Sequence, residues 1–491
     1  MLNRIKSDKN IFAVAVFLAI VYILPFMINS DYAFDDWLRS ETGVTAWEGN
    51  GRPLSSFIMA ALSVFGGKWI VFGDGVLADI FPLTIILCSI SMIVCGYVIT
   101  NELKIESEVL RVICTISPLI SVFFTGNLLF RFDSLIMSLA CLCAIAQAIS
   151  CKKNTLRGFI LSVLSGVGAI SLYQAAIPFY LSFCFLMFSS VNKKERSDVV
   201  RLAFRLIMSL AVACIVYFIT MSLFFNVDVY TSIYTRMHSE IITINMNGFE
   251  TMLGNTRAFV SLIWGSLSLM HIVLIGLVAT LGLTLCITGT CGNKVFLALL
   301  PFTLLVLSFA PYIVLRFPVV EPRALVSFGL IFCAITKQID TSNRLRKFSF
   351  AALCYLIMIQ FSQSYIVSNT FHAYQRIDRL TAEYISNSLI DNDYNPSNGL
   401  IITGYPLAPD AVKRAYTIAP VTKYLVGSVF NTGFKYNLMA QYGIVSHIPE
   451  TDRFSKDGVI LKNSSLLTLV RSKDGFLVEI KNVLPVKKVS P

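Results

Sequence analysis

The 491-residue chain is 55% hydrophobic and only 14% charged, with a mean hydropathy of +0.70. Soluble domains carry about 25% charged residues, so this composition excludes an ordinary soluble globular protein and points to an integral membrane protein of many spans. The net charge of +11 does not signal nucleic-acid binding, because the basic residues sit in short clusters between apolar runs and form no stripe with interleaved aromatics on a soluble segment.

In chain order, Arg4, Lys6 and Lys9 precede an apolar run at 11–28 long enough to cross a bilayer. No small-x-small cleavage site follows Ile28, so a retained first helix is expected in place of a cleaved signal peptide. Further apolar runs fall near 76–100, 112–126, 134–150, 158–171, 173–190, 202–225, 260–288, 295–315, 324–337 and 348–367, which predicts about eleven spans. The stretch 55–72 is interrupted by Gly66-Gly67-Lys68 and reads as a re-entrant or interfacial helix. With the N-terminus inside, simple alternation puts Lys104/Arg111, Lys152/Lys153/Arg157, Lys193/Lys194/Arg196/Arg201/Arg205, Lys294 and Lys337/Arg344/Arg346/Lys347 on the cytoplasmic side, as the positive-inside rule asks.

The opposite face receives 29–54, 127–133, a tight turn near 172, 226–259, 316–323 and everything after about 368. From residue 369 the composition becomes polar and mixed. Phe371, Tyr374, Ile377, Leu380 and Tyr384 recur at helical spacing, and β-like runs follow at 399–403 and 476–480, so a small outer α/β domain is expected. The expected fold is an all-α polytopic membrane domain, 1–368, containing the first outer loop 29–54, followed by an α/β domain, 369–491.

Eleven of the twelve cysteines lie in or beside apolar runs and the twelfth is Cys291; no CxxC pair exists. They read as small packing residues. His238, His271, His372 and His447 are scattered without zinc-site spacing, and no phosphate-binding glycine motif is present. The sequence therefore shows no sign of a nucleotide-bound donor.

Ionisable residues of both signs concentrate in the outer segments. The first holds Asp31, Asp35, Asp36, Arg39, Glu41, Glu48 and Arg52; the second holds Arg131 and Asp133; the fifth holds Arg316, Glu321 and Arg323. Carboxylates at a membrane exit are costly, so a single polar site at the outer face is expected. Of the adjacent pair Asp35-Asp36, one carboxylate could take a proton from an acceptor hydroxyl while the other holds a divalent cation or a basic partner. A solvated acidic loop is the competing reading. Arg52 stands between Gly51 and Pro53, a rigid turn that could present a planar partner to phosphate. Arg131 and Asp133 could close the second loop as a local ion pair or add a phosphate contact. Tyr173-Gln174 could bind sugar hydroxyls or bond helix to helix. Glu321 and Arg323 flank Pro322 and could pair with the first loop, meet phosphate, or cap a helix.

Taken in order, Asp35-Asp36-Trp37, Arg39 and Trp47-Glu48-Gly49-Asn50-Gly51-Arg52-Pro53-Leu54 resemble the bacterial and phage Gtr glucosyltransferases of O-antigen serotype conversion. Arg131-Phe132-Asp133-Ser134, Leu172-Tyr173-Gln174-Ala175-Ala176 and Glu321-Pro322-Arg323-Ala324 extend the resemblance to about Tyr384. It implies a GT-C-like enzyme of the bacterial inner membrane, with its active site facing the periplasm. Such an enzyme would pass glucose from undecaprenyl-phosphate glucose to lipid-linked O-antigen repeats. A donor flippase and a donor synthase would be its partners, together with membrane lipids. The resemblance places catalysis on Asp35 and Asp36, which would also hold Mg2+ or Mn2+ if a cation is needed. The expected substrate-binding set is Trp37, Arg39, Arg52, Arg131, Asp133, Tyr173, Gln174, Glu321 and Arg323. Two rival readings stay open: an O-antigen polymerase or ligase, and a lipid-linked sugar transporter or flippase.

Overall fold

A computed structural model describes residues 2–67, 69, 71–190, 196–225, 237–267, 270–288, 292–342, 346–397, 399–444, 458–473 and 475–481. Cys291, His447 and residues 226–236 of the fourth outer segment lie outside the described residues. Most of the described chain is helical, as lipid demands: without water, a helix satisfies its own backbone groups.

Among the described residues, six helices are long and apolar enough to cross a membrane, where the sequence predicts about eleven spans: Asp8–Asn29, Leu83–Glu102, Ser134–Lys152, Asp198–Phe224, Lys294–Ile313 and Lys347–Ile390. Four shorter apolar helices are Pro53–Leu62, Leu156–Leu172, Ala176–Phe188 and Val273–Leu285. The differences have local causes. The run 112–126 holds only the helix Glu108–Ile116 and the short turn Thr125–Leu128, because Pro118 disfavours continuation. The run 260–288 is divided between Met246–Ser266 and Met270–Thr288. The run 324–337 begins in 3-10 turns before the helix Gly329–Thr341. After the ten-residue helix Pro53–Leu62, left-handed Phe65 and Gly66 break the backbone of the 55–72 stretch.

The chain divides into two compact units, Met1–Ile28 with Val44–Tyr365 and Asn29–Gly43 with Ile366–Pro491. The boundary expected at 368/369 kept all of 29–54 in the membrane domain; here the first half of that loop groups with the C-terminal residues. In the first unit, buried polar side chains bond one another. Tyr22 Oη and Thr125 Oγ1 are 2.9 Å apart, and Val122 N donates to Gln360 Oε1 at 2.8 Å. A polar group left without such a partner in this apolar interior would cost several kcal/mol.

The second unit is built on the C-terminal half of the helix Arg346–Ile390. The apolar part, 348–367, accounts for the crossing, since 44 residues measure roughly 66 Å against a hydrocarbon core of about 30 Å. Strands β1 (Gly399–Thr403), β2 (Val459–Asn463), β3 (Leu467–Ser472) and β4 (Gly475–Ile480) form one sheet in the order β1-β4-β3-β2. Only the β1–β4 pairing is parallel. Both β-like runs foreseen in the sequence are therefore strands. The apolar face of this sheet, through Leu400, Ile402, Phe476 and Val478, packs with Ala382, Ile385 and Leu389 of the helix.

Candidate functional site

Within the first unit, the sequence around Gly51-Arg52-Pro53 builds one tightly held corner. Gly51 takes a left-handed conformation (φ 69°), and a side chain there would meet Tyr217 Oη at 2.6 Å. Only glycine fits that place without displacing the tyrosine. Pro53 opens the following helix, and its ring holds Arg52 out of the helical region. Tyr217 Oη donates to Gly51 O at 2.6 Å, and Gln174 Nε2 donates to Asn50 O and Gly51 O at 3.3 and 3.2 Å. Gln174, expected to meet sugar or another helix, holds this turn.

Arg52 is thereby aimed inward. Its Nε donates to Leu172 O at 2.7 Å and its NH2 to Asp133 Oδ1 at 2.9 Å. Trp47 Nε1 donates to the same Asp133 oxygen at 2.8 Å. Both charges are buried, so each is tolerable only because the other is present. The guanidinium lies 5.1 Å from the centre of the Tyr173 ring. Tyr173 Oη donates to Arg323 O at 3.2 Å. Tyr173 sits between the helices Leu156–Leu172 and Ala176–Phe188. Burial pushes its hydroxyl up to about 12; Arg323 and Arg52 pull it down, while Glu321 and Asp133 raise it. Residues from three other segments of the sequence, 29–54, 127–133 and 316–323, thus gather around the Tyr173 ring.

The other two arginines are held by carboxylates of their own. Arg131 NH1 meets Asp79 Oδ2 at 2.6 Å and lies 4.4 Å from the Phe81 ring centre. Arg323 Nε meets Glu321 Oε2 at 2.5 Å and lies 4.7 Å from the Phe130 ring centre. Arg323 is the most exposed of the three arginines and Arg52 is among the least. Glu48 accepts from Thr45 Oγ1 at 2.9 Å and from Ser56 Oγ.

Within the second unit, Asp35 and Asp36 occupy different environments. Asp36 is fully buried, and its Oδ2 accepts from Ala33 N at 3.2 Å, closing the turn that starts the helix Asp36–Thr42. The Asp35 side chain is 32% exposed and pairs with Arg39 one turn on. Its Oδ1 is buried without a hydrogen-bond partner among the described residues. One carboxylate oxygen of each aspartate lies within 4.8 Å of the other's. Trp37, expected to contact substrate, is 1% exposed and packed among Ala382, Ile385 and Phe476. Asp31 is held by His372 and Arg379. Deeper in the same unit, Asp378 accepts from Ser428 Oγ at 2.5 Å and Val429 N at 2.8 Å. Burial lifts its carboxyl to about 7 despite these two bonds, which lower it.

The sequence reading did not single out Trp47, Glu48, Asp79, Tyr217, His372 or Arg379 as site residues. Trp47 and Glu48 stood inside the quoted motif and were legible there. Tyr217 lies in an apolar helix and Asp79 near the start of the apolar run 76–100, with no local pattern to mark them.

Residues 6–334 match the family model described as Glucosyl transferase GtrII. A relative from Salmonella phage P22, described as an uncharacterized 55.3 kDa protein in the gtrB 5′ region, is 28% identical over 256 residues, 52% of this chain and 50% of the relative. The chain thus spans about half the length of that relative. No solved structure matches the chain. The family match contains the whole interlock of Trp47, Arg52, Asp133, Tyr173 and Arg323 and covers about two thirds of the sequence. The chain belongs to the GtrII glucosyl transferase family.

Proposed function

We propose that the protein transfers a glucosyl group from undecaprenyl-phosphate glucose to lipid-linked O-antigen repeats at the periplasmic face of the inner membrane. The observation that carries this reading is the gathering of Arg52, Asp133, Tyr173, Glu321 and Arg323 from distant segments inside the stretch that matches the family. Transfer from a phosphate-linked donor needs a base for the acceptor hydroxyl and positive charge for the departing phosphate. Arg323 fits the second role best, because its pair with Glu321 is solvated and a phosphate can replace the carboxylate at low cost. Arg52 is a positioning residue, locked to Asp133 and Leu172.

Asp35 fits the role of base: it is accessible, whereas Asp36 is buried in the turn it closes. Asp35→Asn is expected to lower glucosylation of O-antigen in cells by roughly 10²- to 10⁴-fold at an unchanged protein level, whereas Asp36→Asn lowers the protein level itself. Full glucosylation with Asp35→Asn would remove the base from this position. The donor set also fits a divalent cation. Hard carboxylate oxygens of Asp35 and Asp36 suit Mg2+ or Mn2+, and the buried Asp35 Oδ1 has no other partner among the described residues. The ion would supply positive charge for phosphate. Transfer that is lost on EDTA treatment and restored by added Mn2+ is the expected result; indifference to EDTA refutes the ion.

A further inference from the structure

A second polar group lies on the helix Arg346–Ile390, and the transfer reading leaves it without a task. His372, Arg376 and Arg379 recur at i, i+4 and i+7, so they share one helix face. Asp31 stands behind this face and is 2% exposed. Its Oδ2 meets His372 Nδ1 at 2.7 Å and its Oδ1 meets Arg379 NH2 at 2.8 Å. Its two partners are not buried with it: His372 is 46% exposed and Arg379 41%. A carboxylate only accepts, so Nδ1 carries the proton and Nε2 lies on the far edge of the imidazole. Arg376 is exposed and makes no ion pair or hydrogen bond among the described residues. Glu383, the nearest acid along the same face, is exposed and likewise forms no ion pair among them.

Position narrows the ligand. The apolar run on this helix ends at Val367. At 1.5 Å per residue, His372 stands about 7.5 Å and Arg379 about 18 Å beyond it. Lipid headgroups occupy a layer of roughly 5–8 Å on each side of the hydrocarbon. The face therefore begins at headgroup depth. Asp31 offsets the charge of Arg379, and Arg376, without an ion pair among the described residues, stands between the two braced side chains.

We propose that this face binds a phosphoryl anion, with Arg376 and the exposed edge of Arg379 as donors, Asp31 as the brace of Arg379 and His372 as the positioning residue that holds Asp31. Two arginines together offer charge-assisted donors that match phosphate oxygens. The anion can be borne by a lipid or be free phosphate. The test is equilibrium binding of dodecyl phosphate to the purified full chain in a neutral maltoside detergent, beside Arg376→Gln and His372→Gln. Arg376→Gln is expected to weaken binding roughly tenfold or more with an unchanged melting temperature, since it breaks no contact in the fold. His372→Gln is expected to weaken it as well. Displacement by inorganic phosphate at similar concentration identifies the phosphate group alone as the ligand; failure to displace identifies a lipid-borne one. Equal affinity of wild type and Arg376→Gln would overturn the proposal. Binding is read without any sugar, so failure of the glucosyl-transfer reading leaves this result untouched.

Discussion

Asp133 in the first unit and Asp31 in the second are both buried carboxylates that hold an arginine, yet their cations end in different places. Arg52 is buried with Asp133, its guanidinium shared between that carboxylate, Leu172 O and the face of Tyr173. Arg379 and His372 reach past Asp31 into solvent. The comparison separates two uses of the same chemistry. A pair buried on both sides fixes backbone, because losing either partner strands the other in an apolar interior. A pair buried on one side aims its exposed partner at something outside.

Breaking the fully buried pair should have the largest effect on stability. Asp133→Asn or Arg52→Gln is expected to destabilise the first unit by about 3–5 kcal/mol, seen as a lower melting temperature in detergent. The double variant should lose clearly less than the sum of the two, since neither charge is then stranded. Additive losses would show that the two side chains act separately.

A smaller effect distinguishes a buried carboxyl that has no cation. Asp378 rises from the ordinary 3.8 to about 7 in the fold because burial disfavours its charge. Between about pH 4 and 7 the folded chain therefore holds a proton that the unfolded chain has shed. Stability should fall as pH rises through that window and level off above it, which is the opposite of a salt-bridged aspartate. Asp378→Asn removes this slope; thermal melting from pH 4 to pH 9 shows whether it does.

The Arg323–Glu321 pair of the first unit should respond in activity and hardly at all in stability. Arg323→Gln is expected to cost under about 1 kcal/mol in folding, as solvated pairs do, while transfer falls roughly tenfold or more. Glu321→Gln, which frees the arginine, should be far milder. Equal losses from the two variants would make their pair structural.

Several of these roles were legible in the order of residues. Gly51-Arg52-Pro53 announced a rigid turn because the conformations of glycine and proline are set within one or two residues. The paired strands 399–403 and 476–480 were visible as β-branched and apolar runs between turn residues. The burial of Trp37 against Phe476, more than 400 positions away, has no local signature. Helices stop inside continuous apolar runs before Pro118 and after Ser266.

Composition and hydropathy by themselves pointed to a multi-helix membrane protein with a polar C-terminal stretch, since solvent preference is summed over residues and needs no fold. Motif order was enough to point to the family. Tertiary structure alone decided which carboxylate each arginine meets. Arg131 reaches Asp79 and Arg52 reaches Asp133 across separations of 52 and 81 positions. It also decided that Asp36 is buried while Asp35 is accessible, although the two are neighbours in the chain. Charge pairing and burial depend on which distant segments fold together, and adjacent residues face different surroundings as soon as the backbone turns.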